Sequence, residues 1–249
     1  MARTLRLLLA YDGTDFHGWQ SQPGLPTVQG LAAAACERIL GVATKVVGAS
    51  RTDAGVHALR QVASLTTSSS IAPASLGRAL NALLPPAIRV LDSREAPAGF
   101  DARRSASGKR YAYLIDRGVA ADPLLRRYAW HMPFALDPDS MRRALELMRG
   151  KHDFSAFCAA AGRGRTPVCT IRSVRLVARK TRLVALISAD SFLHHMVRNL
   201  VGTLVEVGRG ARRPDWVGEV LEGRDRTRAG PTAPAEGLML IRVMYPGRT

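Results

Sequence analysis

The sequence lacks the features of secreted, membrane-spanning and zinc-binding proteins. It has only three cysteines in 249 residues, odd in number and widely spaced, so they predict neither a disulfide framework nor a paired metal motif. No apolar run approaches the roughly 20 residues of a bilayer-spanning helix. A short leucine run after Arg3 and Arg6 is followed at once by Asp12 and Asp15, without the small-residue cleavage site of a signal peptide. We therefore expect a cytoplasmic protein.

Acidic residues are also few. The chain has 20 Asp and Glu against 36 Lys and Arg, a formal net charge of +16. The first 100 residues carry 9 basic and 6 acidic residues, and the remainder carries 27 and 14. The excess lies in clusters: Arg103/Arg104, Lys109/Arg110, Arg126/Arg127, Arg163/Arg165, Arg209/Arg212/Arg213 and Arg224/Arg226/Arg228. Genomic base composition would account for the preference for Arg over Lys, but not for the excess of cations over anions. A polyanion such as a nucleic acid is therefore the expected partner.

The hydrophobic pattern predicts the same succession of elements twice. In the first half we predict strands at 4–11, 45–49, 60–67 and 88–91, with helices at 27–40 and 73–84. In the second half we predict strands at 110–116, 174–178, 182–189 and 238–245, helices at 137–148 and 192–207, and a short helix near 214–221. Each half has the order β-α-β-β-α-β. The fold class expected is α+β: two tandem ferredoxin-like units, 1–100 and 101–249, in an extended, mostly antiparallel sheet with a central basic cleft.

One loop of the first unit concentrates chemically active side chains. Residues 48–58, between two predicted strands, place the carboxylate of Asp53 in a glycine-containing turn beside Arg51, with His57 following. Asp-x-Gly also favours turns in which the carboxylate binds backbone amides. Spacing alone therefore leaves open a purely structural turn and a catalytic acid.

Several runs in register make the loop more specific. They are YDGTDFHGWQ at 11–20, RTDAGVHA at 51–58, FDAR at 100–103, KRY at 109–111, GKHDF at 150–154, FLHHMVRN at 192–199 and the Gly237-Leu238 ending. In this order the sequence resembles tRNA pseudouridine synthases of the TruA type, along nearly the whole chain. The resemblance implies isomerisation of uridine to pseudouridine at positions 38, 39 and 40 of the tRNA anticodon arm. It also implies a homodimer that uses neither cofactor nor metal.

The resemblance assigns roles to five residues. Asp53 corresponds to the catalytic carboxylate, Arg51 to a residue near the displaced base, and Tyr111 to an aromatic that packs on the target ring. Arg198 corresponds to the partner of Asp53, and Leu238 to the lining of the base pocket. The residues themselves leave other interpretations open, because Arg51 could pair with phosphate, Tyr111 and Leu238 could be core, and Arg198 could share an exposed helix face with Asn199.

Two further expectations accompany this interpretation. A non-catalytic RNA-binding protein with tandem RRM-like units would need the same charge, but not the loop at 51–57. His194 and His195 are neighbours on a predicted helix, so their side chains should point in different directions, which argues against a shared metal ion.

Overall fold

The computed structural model describes residues 2–159 and 166–247. Arg163 and Arg165 of the predicted basic clusters lie outside these residues. By internal packing the chain divides into two compact units, Met1–Ser107 with Leu240–Thr249, and Gly108–Met239. The limits 1–100 and 101–249, as functional domains, stay a prediction.

The first unit contains the six predicted elements, with shifted ends. They are β1 (Arg3–Tyr11), α1 (Val28–Leu40), β2 (Val47–Gly48), β3 (His57–Thr67), α2 (Pro73–Leu83) and β4 (Ile88–Glu95). The strand order is β4-β1-β3, with short β2 paired to β3, and β1 runs antiparallel to both β3 and β4. The side chains of β1 alternate in burial, because successive residues of a strand point to opposite faces. Leu5, Leu7 and Leu9 are completely buried and form the core beneath the helices.

The ends of α1 follow the sequence signals closely. The Thr27 hydroxyl accepts a hydrogen bond from the Gly30 amide, and Gly41 ends the helix with its amide bonded to the Glu37 carbonyl. This helix is confirmed at both ends, as predicted from a Thr cap and a Gly stop.

The second unit has two short strands that the sequence did not predict, at 130–131 and 150–153, and some of its other strands are longer than expected. Its elements are β5 (Gly108–Asp116), β6 (Trp130–His131), α3 (Pro138–Leu147), β7 (Gly150–Asp153), β8 (Val168–Arg179), β9 (Arg182–Ala189), α4 (Met196–Gly208) and α5 (Trp216–Gly223), and the chain continues into β10 (Leu238–Met244). The strand order is β5-β9-β8-β7, antiparallel throughout, and β6 lies parallel to β5. The fold is thus mixed α+β, as expected.

The long helix of the second unit begins later than predicted. We expected it over 192–207, but α4 begins at Met196 because His195 has φ 60°, in the left-handed region that a right-handed helix cannot include. The helix is buried almost all round, and only Arg198 and Glu206 of its residues are partly exposed. In the described part of the chain, no helix combines the length and the apolar character required to cross a membrane.

Candidate active site

The loop that carries Asp53 leaves the sheet at a defined point. The pairing of β2 with β3 extends one residue beyond β2, where the Ala49 amide donates to the Val62 carbonyl over 2.8 Å. A tight turn follows, closed by the Val56 amide, which donates to the Asp53 carbonyl over 3.1 Å. Asp53 is therefore the first residue of a turn that returns the chain to β3.

Burial alternates along this segment. The Thr52 side chain is buried, Arg51 is exposed and Asp53 is half-buried. The arrangement directs Thr52 into the unit and leaves the charged groups of its two neighbours reachable from solvent. A carboxylate of this kind can meet a bound molecule without being sequestered in the core.

A buried polar cluster lies beneath the loop. The Tyr11 hydroxyl and the Thr52 hydroxyl are 2.8 Å apart, and the Gln61 amide nitrogen donates to the Tyr11 oxygen over 3.3 Å. Burial raises the pKa of Tyr11 to about 12, although its hydrogen bonds to Thr52 and Gln61 oppose the shift. Tyr11 therefore stays neutral near physiological pH and acts as a hydrogen-bonding group.

The segment between β1 and α1 supports the loop from a second side. The Trp19 amide donates to the Thr52 carbonyl over 3.0 Å, and the Gly55 amide donates to the Phe16 carbonyl over 3.3 Å. Gly18 has φ +82°, and a Cβ placed there would lie 2.6 Å from the Thr52 carbonyl oxygen. Glycine is thus required where this segment approaches the backbone of the loop.

His57 holds the end of the loop. Its ring is 2% exposed, and Nδ1 accepts the Gly13 amide proton over 3.0 Å. The same nitrogen lies 3.2 Å from a carboxylate oxygen of Asp12. These contacts give His57 a structural function at the end of the loop.

Tyr111 and Leu238 both lie in the second unit and both are nearly buried. Tyr111 is 5% exposed on β5, and the edge of its ring meets the Phe192 ring at a centroid distance of 5.0 Å and an interplanar angle of 83°. Leu238 is 6% exposed at the start of β10, where the preceding Gly237 carbonyl accepts the Leu114 amide. This degree of burial is consistent with packing in the core and equally with a position in the wall of a closed pocket. Their assigned roles remain predictions.

Arg198 is held within its own unit by a backbone contact. Its guanidinium Nε donates to the Ala233 carbonyl over 2.7 Å, and the Ala233 amide donates back to the Arg198 carbonyl over 3.1 Å. The pairing of Arg198 with Asp53 that the resemblance implies stays a prediction.

The alternative of a polar helix face shared by Arg198 and Asn199 is wrong. Asn199 is completely buried: its amide nitrogen donates to the Phe157 carbonyl, and its oxygen accepts from Arg226 and Thr232. A buried amide with each of these bonds made costs little, whereas an unpartnered one would be expensive, so its position in the core is stable.

The two adjacent histidines do not lie on a helix. His194 and His195 precede α4, and their rings stack with centroids 4.0 Å apart and an interplanar angle of 31°. The expectation that the side chains diverge along a helix is therefore wrong, since the left-handed conformation of His195 brings the rings together.

The predicted basic clusters separate into exposed and anchored residues. Of those described, Arg103, Arg104, Arg126, Arg209, Arg212, Arg213, Arg224 and Arg228 are exposed. Arg226 is different: its guanidinium donates to the Gly230 carbonyl, the Asn199 amide oxygen and the Thr232 hydroxyl. Burial also lowers the pKa of Arg226. This half-buried arginine therefore fixes the chain around 226–232.

Sequence reasoning missed the residues that hold the site from within. Gln61 is one of them, and its side chain makes four hydrogen bonds at 0% exposure. The sequence feature that could have indicated a buried polar side chain was the position of Gln61 immediately before the apolar run Val62–Ala63 of β3. Asn199 is likewise a polar residue within the apolar sequence that forms α4.

Comparison with known proteins identifies the family of this chain. The family profile described as tRNA pseudouridine synthase matches residues 8–103 and 144–246. The tRNA pseudouridine synthase A of Acetivibrio thermocellus is 45% identical over 244 residues, which cover 98% of this chain and 100% of that protein. The protein of the same name from Myxococcus xanthus is 44% identical over 250 residues, covering 98% and 94% respectively. The chain therefore belongs to the tRNA pseudouridine synthase family.

Proposed function

We propose that the protein isomerises uridine to pseudouridine in tRNA, with Asp53 as the carboxylate that acts on the substrate. Family membership over nearly the whole chain supports the reaction. The observation that carries the role of Asp53 is its place on a loop whose backbone is bonded on two sides, with the residue half-buried directly after the buried Thr52 and two positions after the exposed Arg51. A fixed carboxylate of this kind suits a group that must meet a reacting atom in one orientation.

The reaction leaves the atomic composition of the nucleotide unchanged, although the hydrogen of C5 is released to water. The bond between N1 and C1′ breaks, the base turns, a bond between C5 and C1′ forms, C5 loses its proton and N1 gains one. No oxidant or reductant is consumed, so the reaction needs no redox cofactor. Following the sequence resemblance, we propose that it uses no other cofactor and no metal. A uracil within a stem must first be extruded, at a cost of a few kcal/mol. Asp53 then attacks C1′ or C6 as a nucleophile, or stabilises charge at the broken bond.

The other site residues complete the proposal. Arg51, exposed beside Asp53, occupies the space of the displaced base or pairs with phosphate. The Tyr111 ring packs on the target base and Leu238 lines its pocket. Arg198 pairs with Asp53 and so keeps the carboxylate ionised.

Three finer features of the proposal are taken from the sequence analysis. We propose that the enzyme acts at positions 38, 39 and 40 of the anticodon arm, that it is a homodimer, and that it is located in the cytoplasm, where tRNA is found. We also infer a ferredoxin-like unit in each half, which the order β4-β1-β3-β2 of the first unit supports.

Replacement of the carboxylate tests the reaction directly. Asp53→Asn keeps the size of the side chain and removes its charge, so we expect normal tRNA binding with no pseudouridine formed. Release of tritium from tRNA labelled at C5 of uridine measures turnover. Asp92→Asn is the matched control, since Asp92 lies on β4 and pairs with Arg94. Near-normal turnover by the Asp53 variant would eliminate the catalytic assignment and favour a non-catalytic RNA-binding module.

Mapping of the product tests the position and the absence of a metal together. Protein dialysed against a chelator is incubated with tRNA, and pseudouridine is located along the strand. We expect modification at positions 38, 39 and 40 at the rate of untreated protein. Modification elsewhere would contradict the proposed position, and activity that returns only when a divalent cation is added would contradict metal independence.

A further inference from the structure

The Gln61 side chain occupies an unusual position at the base of the loop. It is completely buried, and its amide bridges both backbone groups of a single residue, Ser50. Its oxygen accepts the Ser50 amide proton over 3.2 Å, and its nitrogen donates to the Ser50 carbonyl over 2.6 Å. The same nitrogen reaches the Tyr11 hydroxyl, and the oxygen also accepts from the Val62 amide. Each polar atom of the amide is therefore bonded.

The two hydrogen bonds between Gln61 and Ser50 lie at the end of the β2–β3 ladder. The last backbone bond of the β2–β3 ladder joins the Ala49 amide to Val62. At Ser50 the chain has left β3, and the glutamine amide supplies the donor and acceptor that a paired strand would have offered. The contact extends the regularity of the sheet by one residue into the loop.

The next anchor follows two residues later. The Thr52 hydroxyl bonds Tyr11, which itself contacts Gln61. Ser50 and Thr52 are thus both tied to the inner cluster, and Arg51 and Asp53 are the residues that alternate with them. A shift of Ser50 or Thr52 would be passed to the charged residues, because Arg51 directly follows Ser50 and Asp53 directly follows Thr52.

We propose that Gln61 is a positioning residue for Asp53, which acts by fixing the backbone at Ser50 and, through Tyr11, at Thr52. The proposal rests on the proposed function, in which Asp53 acts on the uridine. Gln61 itself touches no substrate. It sets the place of the carboxylate, and a displacement of about 1 Å at a reacting group is able to lower a rate on the order of 100-fold.

The chain contains a matched control for this amide. Asn81 bridges the amide and carbonyl of Val90 in the same way, with both distances 2.8 Å, between α2 and β4 and away from the loop. Gln61→Met and Asn81→Leu each remove a bridging amide while keeping the approximate side-chain volume. We expect both to lower the melting temperature. Only Gln61→Met should lower the single-turnover rate of tritium release, by roughly 10- to 100-fold, with the tRNA dissociation constant unchanged.

A second variant gives a readout that a merely structural role would not produce. Gln61→Glu keeps the shape, and its protonated carboxyl offers one donor and one acceptor to Ser50, as the amide does. Burial raises the pKa of such a carboxyl, so the protonated form persists towards neutral pH. Loss of that proton removes the donor. The single-turnover rate relative to wild type should therefore be highest in mildly acidic solution and fall as the pH rises. Tyr11, which contacts the amide, has a pKa of about 12 and does not titrate in this range.

The outcomes separate the two proposals. If wild-type protein releases no tritium from tRNA, the proposed function fails. If wild type is active and Gln61→Met loses no more rate than Asn81→Leu, or loses it only through weaker tRNA binding, the positioning role is overturned. If Gln61→Met does not fold, the pH profile of Gln61→Glu decides, and a flat ratio to wild type contradicts the proposal.

Discussion

Asp53 is held in place by uncharged residues that hydrogen-bond to the backbone of its loop. The backbone of Thr52 and Gly55 is bonded to the segment that contains Phe16 and Trp19, so the loop has partners on that side as well as on the side of the sheet. Gly18 makes the approach possible, because any larger residue would meet the Thr52 carbonyl. At this scale the position of one carboxylate depends on the conformation of one glycine.

Gly18→Ala should reduce both stability and turnover. The new Cβ must adopt φ +82° and would lie 2.6 Å from the Thr52 oxygen, so the loop has to move. Gly24→Ala is the control: its φ is +71°, but nothing lies within 4 Å of the added carbon. Both variants should lose about 1 kcal/mol of unfolding free energy through strain, and Gly18→Ala should lose more. Denaturant unfolding and tritium release measure the difference; equal effects of the two variants would contradict the account.

The helices show which helix ends can be predicted from residues that are adjacent in the sequence. At α3, Asp137 accepts a bond from the Asp139 amide and Pro138 occupies the first turn, as the Asp-Pro pair predicts. At α4 the local signal failed, because residues 192–195 contain no residue that breaks a helix. Their conformation depends on distant contacts, including the Ala159 amide, which donates to the His194 carbonyl. A helix end is predictable when its cap is adjacent in the chain, and not when a remote segment imposes it.

The cap of α3 predicts a pH effect on stability. A hydrogen bond from the Ser140 hydroxyl, and then one from the Asp139 amide, lower the pKa of Asp137 below its usual value of 3.8. The ionised cap therefore stabilises the folded state above that pH, and its contribution is lost as the pH falls through the lowered pKa. Asp137→Ala should cost about 1 kcal/mol at neutral pH and less near pH 3. Urea unfolding at both pH values measures this, with Asp137→Asn as a cap that does not titrate.

The arginines that give the molecule its positive charge are of two kinds: some are exposed to solvent, and others are hydrogen-bonded to the protein itself. Arg213 is exposed, and Arg212 lies over the Trp216 ring at 5.2 Å. Arg226 is instead bonded to the chain at three points. Net charge predicts an anionic partner, but the number of arginines overstates the surface that can meet it.

Salt dependence distinguishes these two kinds of arginine. Arg213→Ala should weaken tRNA binding and reduce the slope of log K against log salt by about 0.9 for each phosphate that the protein no longer neutralises. Arg226→Ala should leave that slope unchanged and lower the unfolding free energy by roughly 1–3 kcal/mol, because Asn199 loses a buried partner. Filter binding across a salt series and urea unfolding test both. An unchanged slope for Arg213→Ala would contradict its part in binding.

The sequence by itself determined the six elements of the first unit, the helices and the longer strands of the second, the caps of α1 and α3, and the loop that carries Asp53, but not the short strands β6 and β7. These features follow from hydrophobic periodicity and from interactions between residues a few positions apart in the sequence, which do not depend on the tertiary fold. The tertiary structure alone decided that Gln61 and Asn199 are buried, that α4 begins at Met196 and that Arg226 is anchored. Their partners are remote: Gln61 meets Tyr11 across 50 positions, and Arg226 meets Asn199 across 27. Such hydrogen bonds exist only after folding has brought the segments together, so a local pattern can mark the polar residue but cannot identify its partner.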